Sequence, residues 1–272
     1  MFENKKIAFI GAGNMAEAVL KGLLAQEMVA SGQIVASDIS EARLATIAER
    51  YGVGVSTDNV TAVDTADVVV LCVKPQIYPK VAPQLGGSLK SDALVVSVMA
   101  GVTIETMTTS LQHAAVVRSM PNTPAMIGHG MIVWTKTDAV TEAQKGQAQA
   151  IFSALGSEAF VDDEKYLDMA TAMSGSGPAY VFLFMEAWID AGVKMGFSRA
   201  ISEQLVRQTV LGSAEYWRQS DTHITQLRNQ VTSPGGTTAA GLHQLEAHNL
   251  RTAVAEGVFA AYQQAVALGK KG

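Results

Sequence analysis

The chain has 272 residues, 48% of them hydrophobic and 17% charged. That length and balance exclude a disordered or fibrous protein and allow a sizeable buried core, some of it between subunits. Lys and Arg number 20 against 25 Asp and Glu, a net charge of −5, and no basic run is longer than the pair Lys270-Lys271, so a nucleic-acid backbone has no electrostatic footprint to bind.

The apolar stretch behind Met1 to Lys6 is far too short for a signal peptide. The longest one elsewhere, Ala179 to Ala191, carries Glu186 and Asp190 and is too short for a bilayer. The single cysteine, Cys72, sits in an apolar run and fits a reducing compartment. The expectation is a cytoplasmic protein without membrane association.

In chain order, Ile7 to Ile10 reads as a fully buried strand, followed by a glycine turn and a helix from Met15 to about Ala25. Gln33 to Ser37 is a second strand and Glu41 to Tyr51 a second helix. Val68 to Val73, Leu94 to Val98 and Ala115 to Arg118 are the third, fourth and fifth strands. Met131 to Trp134 and Glu158 to Val161 are late strands flanking a helix from Glu142 to Leu155. Strands alternating with helices predict a doubly wound, mostly parallel sheet covered on both faces.

From about Glu164 the period changes. Tyr166 to Met173, Pro178 to Gly196, Arg199 to Gln219, Ile224 to Val231 and Thr237 to Leu268 all read as helices. The expected division is a dinucleotide-binding domain over 1–164 and an all-helical domain over 165–272. Ala179 to Met185 is apolar around every face of its helix, which calls for burial on all sides. A partner subunit is the expected cover, with the central helix of a monomeric bundle as the other reading.

Gly11-Ala12-Gly13-Asn14-Met15-Ala16 has the G-x-G-x-x-A spacing between a strand and a helix. Its first glycine allows a tight turn, its second admits a pyrophosphate to the helix N-terminus, and its small last residue lets helix and strand pack closely. Selectivity for the cofactor is read at the end of the second strand, where the signal is mixed. Asp38 suits the ribose hydroxyls of NAD, while Ser37, Ser40 and Arg43 together suit the 2′-phosphate of NADP. Lys74-Pro75 and the Met99-Ala100-Gly101 turn fall at the carboxyl edge of the sheet, where ligands bind in open α/β folds. Asn59 either bonds the adenosine side of a cofactor or caps the helix that follows.

Arg118-Ser119-Met120-Pro121-Asn122-Thr123-Pro124 forms a stiff loop presenting the amide of Asn122 to the sheet edge, or is only a rigid crossover. Two helix starts are unusual. Ser174-Gly175-Ser176-Gly177-Pro178 combines a serine cap, bare glycines and a first-turn proline, and Thr232-Ser233-Pro234-Gly235-Gly236-Thr237-Thr238 repeats those ingredients. Exposed backbone N–H groups at such a start receive a carboxylate or phosphate. Histidines 113, 129, 223, 243 and 248 lack a metal-ligand spacing, and no G-x-S-x-G elbow accompanies the serines, so neither a metal nor a nucleophile is expected.

These motifs resemble, in order and over nearly the whole chain, the pyrroline-5-carboxylate reductases. The resemblance rests on Ile10 to Met15, Val73-Lys74-Pro75, Met120 to Pro124, Gly175 to Tyr180 and Ser233 to Thr238. It implies a Rossmann domain joined to a helical domain that interlocks with its partner, in homodimers that some members build into rings. It implies NADPH as the preferred cofactor, with NADH possible, and reduction of 1-pyrroline-5-carboxylate to proline.

By the same resemblance, Ile10 to Met15, Ser37, Asn59, Cys72 to Pro75 and Met99 to Gly101 meet the cofactor. Ser233, Gly235, Gly236, Thr237 and Thr238 hold the substrate, with Asn122 and Ser176 beside them. The Thr238 hydroxyl acts on the ring nitrogen. Asp38 departs from the uncharged residue expected of a strictly NADP-dependent member.

Two competitors remain at this level. A β-hydroxyacid-type dehydrogenase generally brings a lysine in its helical domain, and here Lys194 is the only lysine between Tyr166 and Lys270. A non-catalytic nicotinamide-binding sensor needs the first glycine turn but not the second.

Overall fold

Ile7–Ile10, buried at every position, forms β1 of the computed structural model, which describes residues 1–269. The Lys270-Lys271 pair lies outside them. In chain order follow α1 (Asn14–Ala25), β2 (Ile34–Ser37), α2 (Glu41–Tyr51), β3 (Gly54–Ser56), α3 (Asn59–Val63), β4 (Val68–Leu71) and α4 (Tyr78–Leu85). Then come β5 (Leu94–Ser97), α5 (Ile104–Leu111), β6 (Val116–Met120), β7 (Gly130–Lys136), α6 (Glu142–Ser153), β8 (Gly156–Phe160) and α7 (Lys165–Ala170).

The strands make one sheet in the order β3-β2-β1-β4-β5-β6-β7-β8. Every neighbouring pair is parallel except β6 with β7. Central strands covered on both faces have no polar side, which is why β1, β4 and β5 read as unbroken apolar runs. Successive side chains alternate between the two faces. Ile7, Phe9, Val68 and Val70 join Leu20, Trp134 and Phe152 in one core, while Ala8, Ile10, Val69 and Leu71 join Tyr78, Leu85 and Met107 in the other.

Three elements of this region are absent from the sequence reading. β3 is three residues long and mostly exposed, with no apolar run to announce it. α4 contains Pro79 and Pro83. Pro79 occupies the first turn, where a missing N–H costs nothing, while Pro83 lies inside the helix and forgoes one backbone bond. α5 is rich in threonine, which blurs its apolar period.

Contacts divide the chain into two compact units, Met1–Ser176 with the chain's end from Ala261, and Gly177–Ala260. The second carries α8 (Gly177–Lys194), α9 (Arg199–Arg218), α10 (Ile224–Gln230), α11 (Thr237–Ala247) and the first part of α12 (Leu250–Gly269). The single helix expected over Thr237 to Leu268 is two. It breaks at Asn249, whose φ of 58° is the left-handed conformation that asparagine tolerates better than most residues. α8 and α9 pack closely at Gly192, where a Cβ would stand 2.6 Å from the Ser202 hydroxyl.

Among the described residues of Gly177–Ala260, Val206 is the one buried apolar side chain. Phe182 and Leu183 are 64% and 67% exposed in the single chain. The all-round apolar helix is therefore not the centre of a monomeric bundle. No described helix is long and apolar enough to cross a membrane.

Candidate cofactor and substrate site

The glycine turn between β1 and α1 is built by close approach. Gly11 has φ +91°, and a Cβ there would stand 2.9 Å from the Val73 nitrogen and 3.0 Å from the Cys72 carbonyl. Only glycine combines that backbone with that contact. Gly11 N–H donates to the Ser37 carbonyl at 2.8 Å, so the first, second and fourth strand ends are drawn together. A Cβ on Gly13 would meet nothing within 4 Å, and Gly13 caps α1 without any side-chain hydrogen bond. The first N–H groups of α1 thus face open space, the arrangement that receives a pyrophosphate.

A hollow of about 230 Å³ adjoins this turn, lined by Gly11, Gly13, Ser37, Asp38, Ile39, Asn59, Cys72, Val73, Lys74, Ile77 and Val81. Of the expected cofactor residues, Gly11, Gly13, Ser37, Asn59, Cys72, Val73 and Lys74 converge here. Ile10 lies fully buried beneath it and Met15 packs against the core, so these two supply framework. Asn14 lines a neighbouring hollow with Glu17, Ala18, Lys21, Arg50, Tyr51 and Met126. Cys72 is half-buried as a residue, and burial of its sulfur pushes the thiol up from its ordinary value.

The selectivity residues have definite partners. Ser37 is fully buried and donates its hydroxyl to the Asn59 amide oxygen at 2.8 Å, while the Asn59 amide nitrogen donates to Gln84 at 2.9 Å. Asn59 is not a helix cap, since Asp58 caps α3 by accepting from the N–H groups of Val60 and Thr61. Ser40 caps α2 through the Arg43 N–H. Asp38 accepts from the Ala12 N–H at 2.8 Å and the Ser40 N–H at 3.0 Å. Arg43 donates to the Ala12 carbonyl at 2.7 Å and to Glu17 at 2.5 Å.

Pro75, Ala100 and Gly101 line a second hollow of about 420 Å³ with Gln76, Pro79, Val102, Asp168, Thr171, Ala265 and Leu268. Gly101 has φ +74°, which the turn after β5 requires. Met99 points instead into the core, 2% exposed. Behind this turn lies a contact that sequence reasoning missed. Arg118, 4% exposed, donates to Glu164 at 2.5 Å, and the same carboxylate oxygen accepts the first N–H of α5, that of Ile104, at 2.7 Å. The signal was an arginine at the end of an apolar strand, whose buried charge requires a partner.

Asn122 is engaged at both ends of its amide, donating to the Ser174 carbonyl at 3.1 Å and accepting from the Met131 N–H at 2.9 Å. Its amide holds the crossover loop to the segment after α7. Ser174 is not a helix cap. Thr171–Gly175 is a π-helical turn continuing α7, and the Ser174 hydroxyl donates back to the Ala170 carbonyl at 3.0 Å. Ser176 closes that turn through its N–H to Thr171. Single π turns of this kind are frequent at functional sites.

The second unusual start keeps its bare glycines but has no serine cap, and Pro234 lies ahead of the cap rather than in the first turn. Gly235 has φ +70°, Gly236 caps α11 without a side-chain bond, and a Cβ on Gly236 would collide with the Ser233 hydroxyl. Thr237 and Thr238 open α11, with their N–H groups among the unpaired donors of a helix start.

A doubly wound sheet with a Gly-x-Gly-x-x-Ala turn at its first crossover, joined to a helical region, defines a nicotinamide-dinucleotide oxidoreductase of Rossmann type. Residues 6–101 match the family described as NADP oxidoreductase, coenzyme F420-dependent, and residues 164–268 match that described as pyrroline-5-carboxylate reductase dimerisation. A pyrroline-5-carboxylate reductase of Synechocystis sp. is 42% identical over 98% of this chain and 99% of that protein. That of Escherichia coli is 38% identical over 98% and 99%. The solved structure of the Coxiella burnetii reductase has 37% identity and a TM-score of 0.92, covering 97% of this chain and 98% of that one. The Plasmodium falciparum enzyme, solved with NADP bound, has 33% identity and a TM-score of 0.86, covering 98% and 99%. The chain belongs to the pyrroline-5-carboxylate reductase family.

Proposed function

We infer that the chain reduces 1-pyrroline-5-carboxylate to L-proline at the expense of NADPH, the last step of proline synthesis. The observation that carries this reading is the presence, in one chain, of two bare glycine-rich helix starts: Gly11–Ala16 for a dinucleotide and Ser233–Thr238 for a second anion. A sensor has no use for the second. A hydroxyacid dehydrogenase shares the fold but not this pair.

We assign dinucleotide binding to 1–164, and substrate binding and dimerisation to 165–272. The turn at Gly11 to Met15 would hold the pyrophosphate, Asp38, Asn59 and Cys72 to Lys74 would line the adenosine half, and Pro75, Ala100 and Gly101 the nicotinamide half. When bound, NADPH supplies the hydride that the imine carbon takes up.

An iminium is already electrophilic, so the protein's share is position and charge more than acid strength. The N–H groups of Thr237 and Thr238 bind the substrate carboxylate and the Ser233 hydroxyl adds a donor, while the Gly236 N–H is held by the Ser233 carbonyl at 3.1 Å. The Thr238 hydroxyl bonds the ring nitrogen and relays to it a proton taken from solvent, so that hydride at carbon and proton at nitrogen together give proline. Asn122, in the crossover loop, and Ser176, which closes the π turn, are proposed as further substrate contacts. The homo-oligomer is a dimer, in which form it works in the cytoplasm.

Consumption of NADPH with formation of proline on adding pyrroline-5-carboxylate is the direct test. Thr238→Ala lowers kcat/KM by about 10- to 1000-fold, the range for loss of one preorganised donor, and Thr238→Ser restores most of it. Parent-like turnover by Thr238→Ala at both saturating and limiting substrate sinks the assigned role.

A further inference from the structure

The peptide at Ala12, in the middle of the glycine turn, is gripped from both sides by groups of opposite charge. Its N–H is taken by Asp38 at 2.8 Å and its carbonyl by Arg43 at 2.7 Å. An acid at this place suits the ribose hydroxyls of NADH, and a base suits the 2′-phosphate of NADPH. Asp38 lines the hollow beside Gly11 and Gly13. Arg43 is turned to a third party, Glu17 on α1, at 2.5 Å. Glu17 does not line that hollow. It sits in the neighbouring one, where Arg50 at 2.5 Å and the Tyr51 hydroxyl at 2.8 Å also hold its second oxygen.

We propose that Glu17 is a positioning residue for cofactor selection, a latch that draws the Arg43 guanidinium away from a 2′-phosphate and so narrows the preference for NADPH over NADH. The proposal rests on the reductase reading only for which dinucleotides matter. Glu17 stays ionised in this role: burial by itself pushes its carboxyl up, but Arg43, Tyr51 and Arg50 together outweigh that and leave it below its ordinary value. Its charge is therefore a standing competitor for Arg43. Asp38 adds to the same effect from inside the hollow, because a phosphate there faces a carboxylate.

The test is calorimetric titration of NADP⁺ and NAD⁺ into the parent and into Glu17→Gln, Arg43→Ala and the double variant. Glu17→Gln is expected to raise the ratio of NADP⁺ to NAD⁺ affinity about three- to tenfold, the scale of redirecting one partly exposed charge pair. The double variant is expected to lose that gain. A ratio within about twofold of the parent in Glu17→Gln overturns the latch, as does a gain that survives in the double variant. If Glu17→Gln fails to fold, Glu17→Asp keeps the charge but withdraws it by one methylene, and the same direction of shift is required of it. Binding of oxidised dinucleotides needs no substrate, so an unchanged ratio leaves the reductase reading standing, and absence of imine reduction leaves the latch measurable.

Discussion

Gly11 shows how one missing side chain ties local geometry to ligand affinity. A methyl group there meets the Val73 nitrogen at 2.9 Å in a backbone of positive φ. Gly11→Ala is expected to be less stable by about 1–3 kcal/mol, the strain of a non-glycine in that conformation, and to bind NADP⁺ at least about tenfold more weakly as the turn opens. Thermal melting and dinucleotide titration read the two effects separately. Asp67 shows a charge at work far from the site. It accepts the Lys6 N–H at 2.8 Å and faces Lys90 at 3.3 Å and Lys5 at 3.5 Å, joining the entry of β1 to that of β4. Burial pushes this carboxyl up, but the Lys6 N–H and the two ammonium groups leave it below its ordinary value. A carboxyl depressed in the folded state stabilises the protein above its unfolded value and ceases to do so as pH falls through the folded one. Asp67→Asn should therefore lose about 1–3 kcal/mol at neutral pH. Denaturant melts of the two proteins should converge as pH is taken below about 4.

At the scale of elements, Arg118 of β6, Glu164 ahead of α7 and the start of α5 form one joint behind the Ala100–Gly101 turn. Glu164→Ala strips a nearly buried guanidinium of its main partner, since Asp168 stands 3.9 Å away. The loss should be about 2–4 kcal/mol in urea unfolding, with a rise in the KM for NADPH as the turn loosens. The joint was not legible because strand and partner lie 46 residues apart. Legibility elsewhere followed from how locally each element is determined. α2 runs from Glu41 to Tyr51 as read, because Ser40 caps its start and Gly52, at φ +67°, ends it. β1, β4 and β5 announce themselves by apolar runs that only a doubly covered sheet allows. The first turn of the site was equally plain, since Gly11 and Gly13 act through backbone geometry. Asp38, Asn122 and Ser174 were not: each carries a polar group whose role is fixed by a partner the sequence does not place beside it. The π turn at Thr171–Gly175 resembles a capped start in composition, because serine and glycine serve both purposes.

For the molecule as a whole, the unit Gly177–Ala260 cannot be accounted for as a single chain. Phe182, Leu183, Leu211, Trp217 and Phe259 all stand more than half exposed, an apolar surface that marks a subunit interface. The helical region that carries it is the one matched to the dimerisation family. Association then adds to the stability of the fold, and the melting temperature should rise with protein concentration. Paired Phe182→Asp and Leu183→Asp substitutions should yield monomers in sedimentation analysis, with a lower melting temperature. Dimers that persist at parent-like affinity would count against this face as the interface.

The placement of Cys72 gives the protein a built-in probe. Its sulfur is desolvated in the wall of the dinucleotide hollow, and its N–H is bonded to the Ile10 carbonyl at the centre of the sheet. Cys72 is half-buried and lines the hollow, so a thiol reagent reaches it from that side, slowly because burial pushes the thiol up from its ordinary value, and the chain has no second cysteine to confuse the signal. The rate at which a thiol reagent consumes Cys72 therefore reports how open that wall of the hollow is. NADP⁺ bound across the hollow should slow that reaction in proportion to its occupancy, so dinucleotide binding can be followed in the purified protein without turnover.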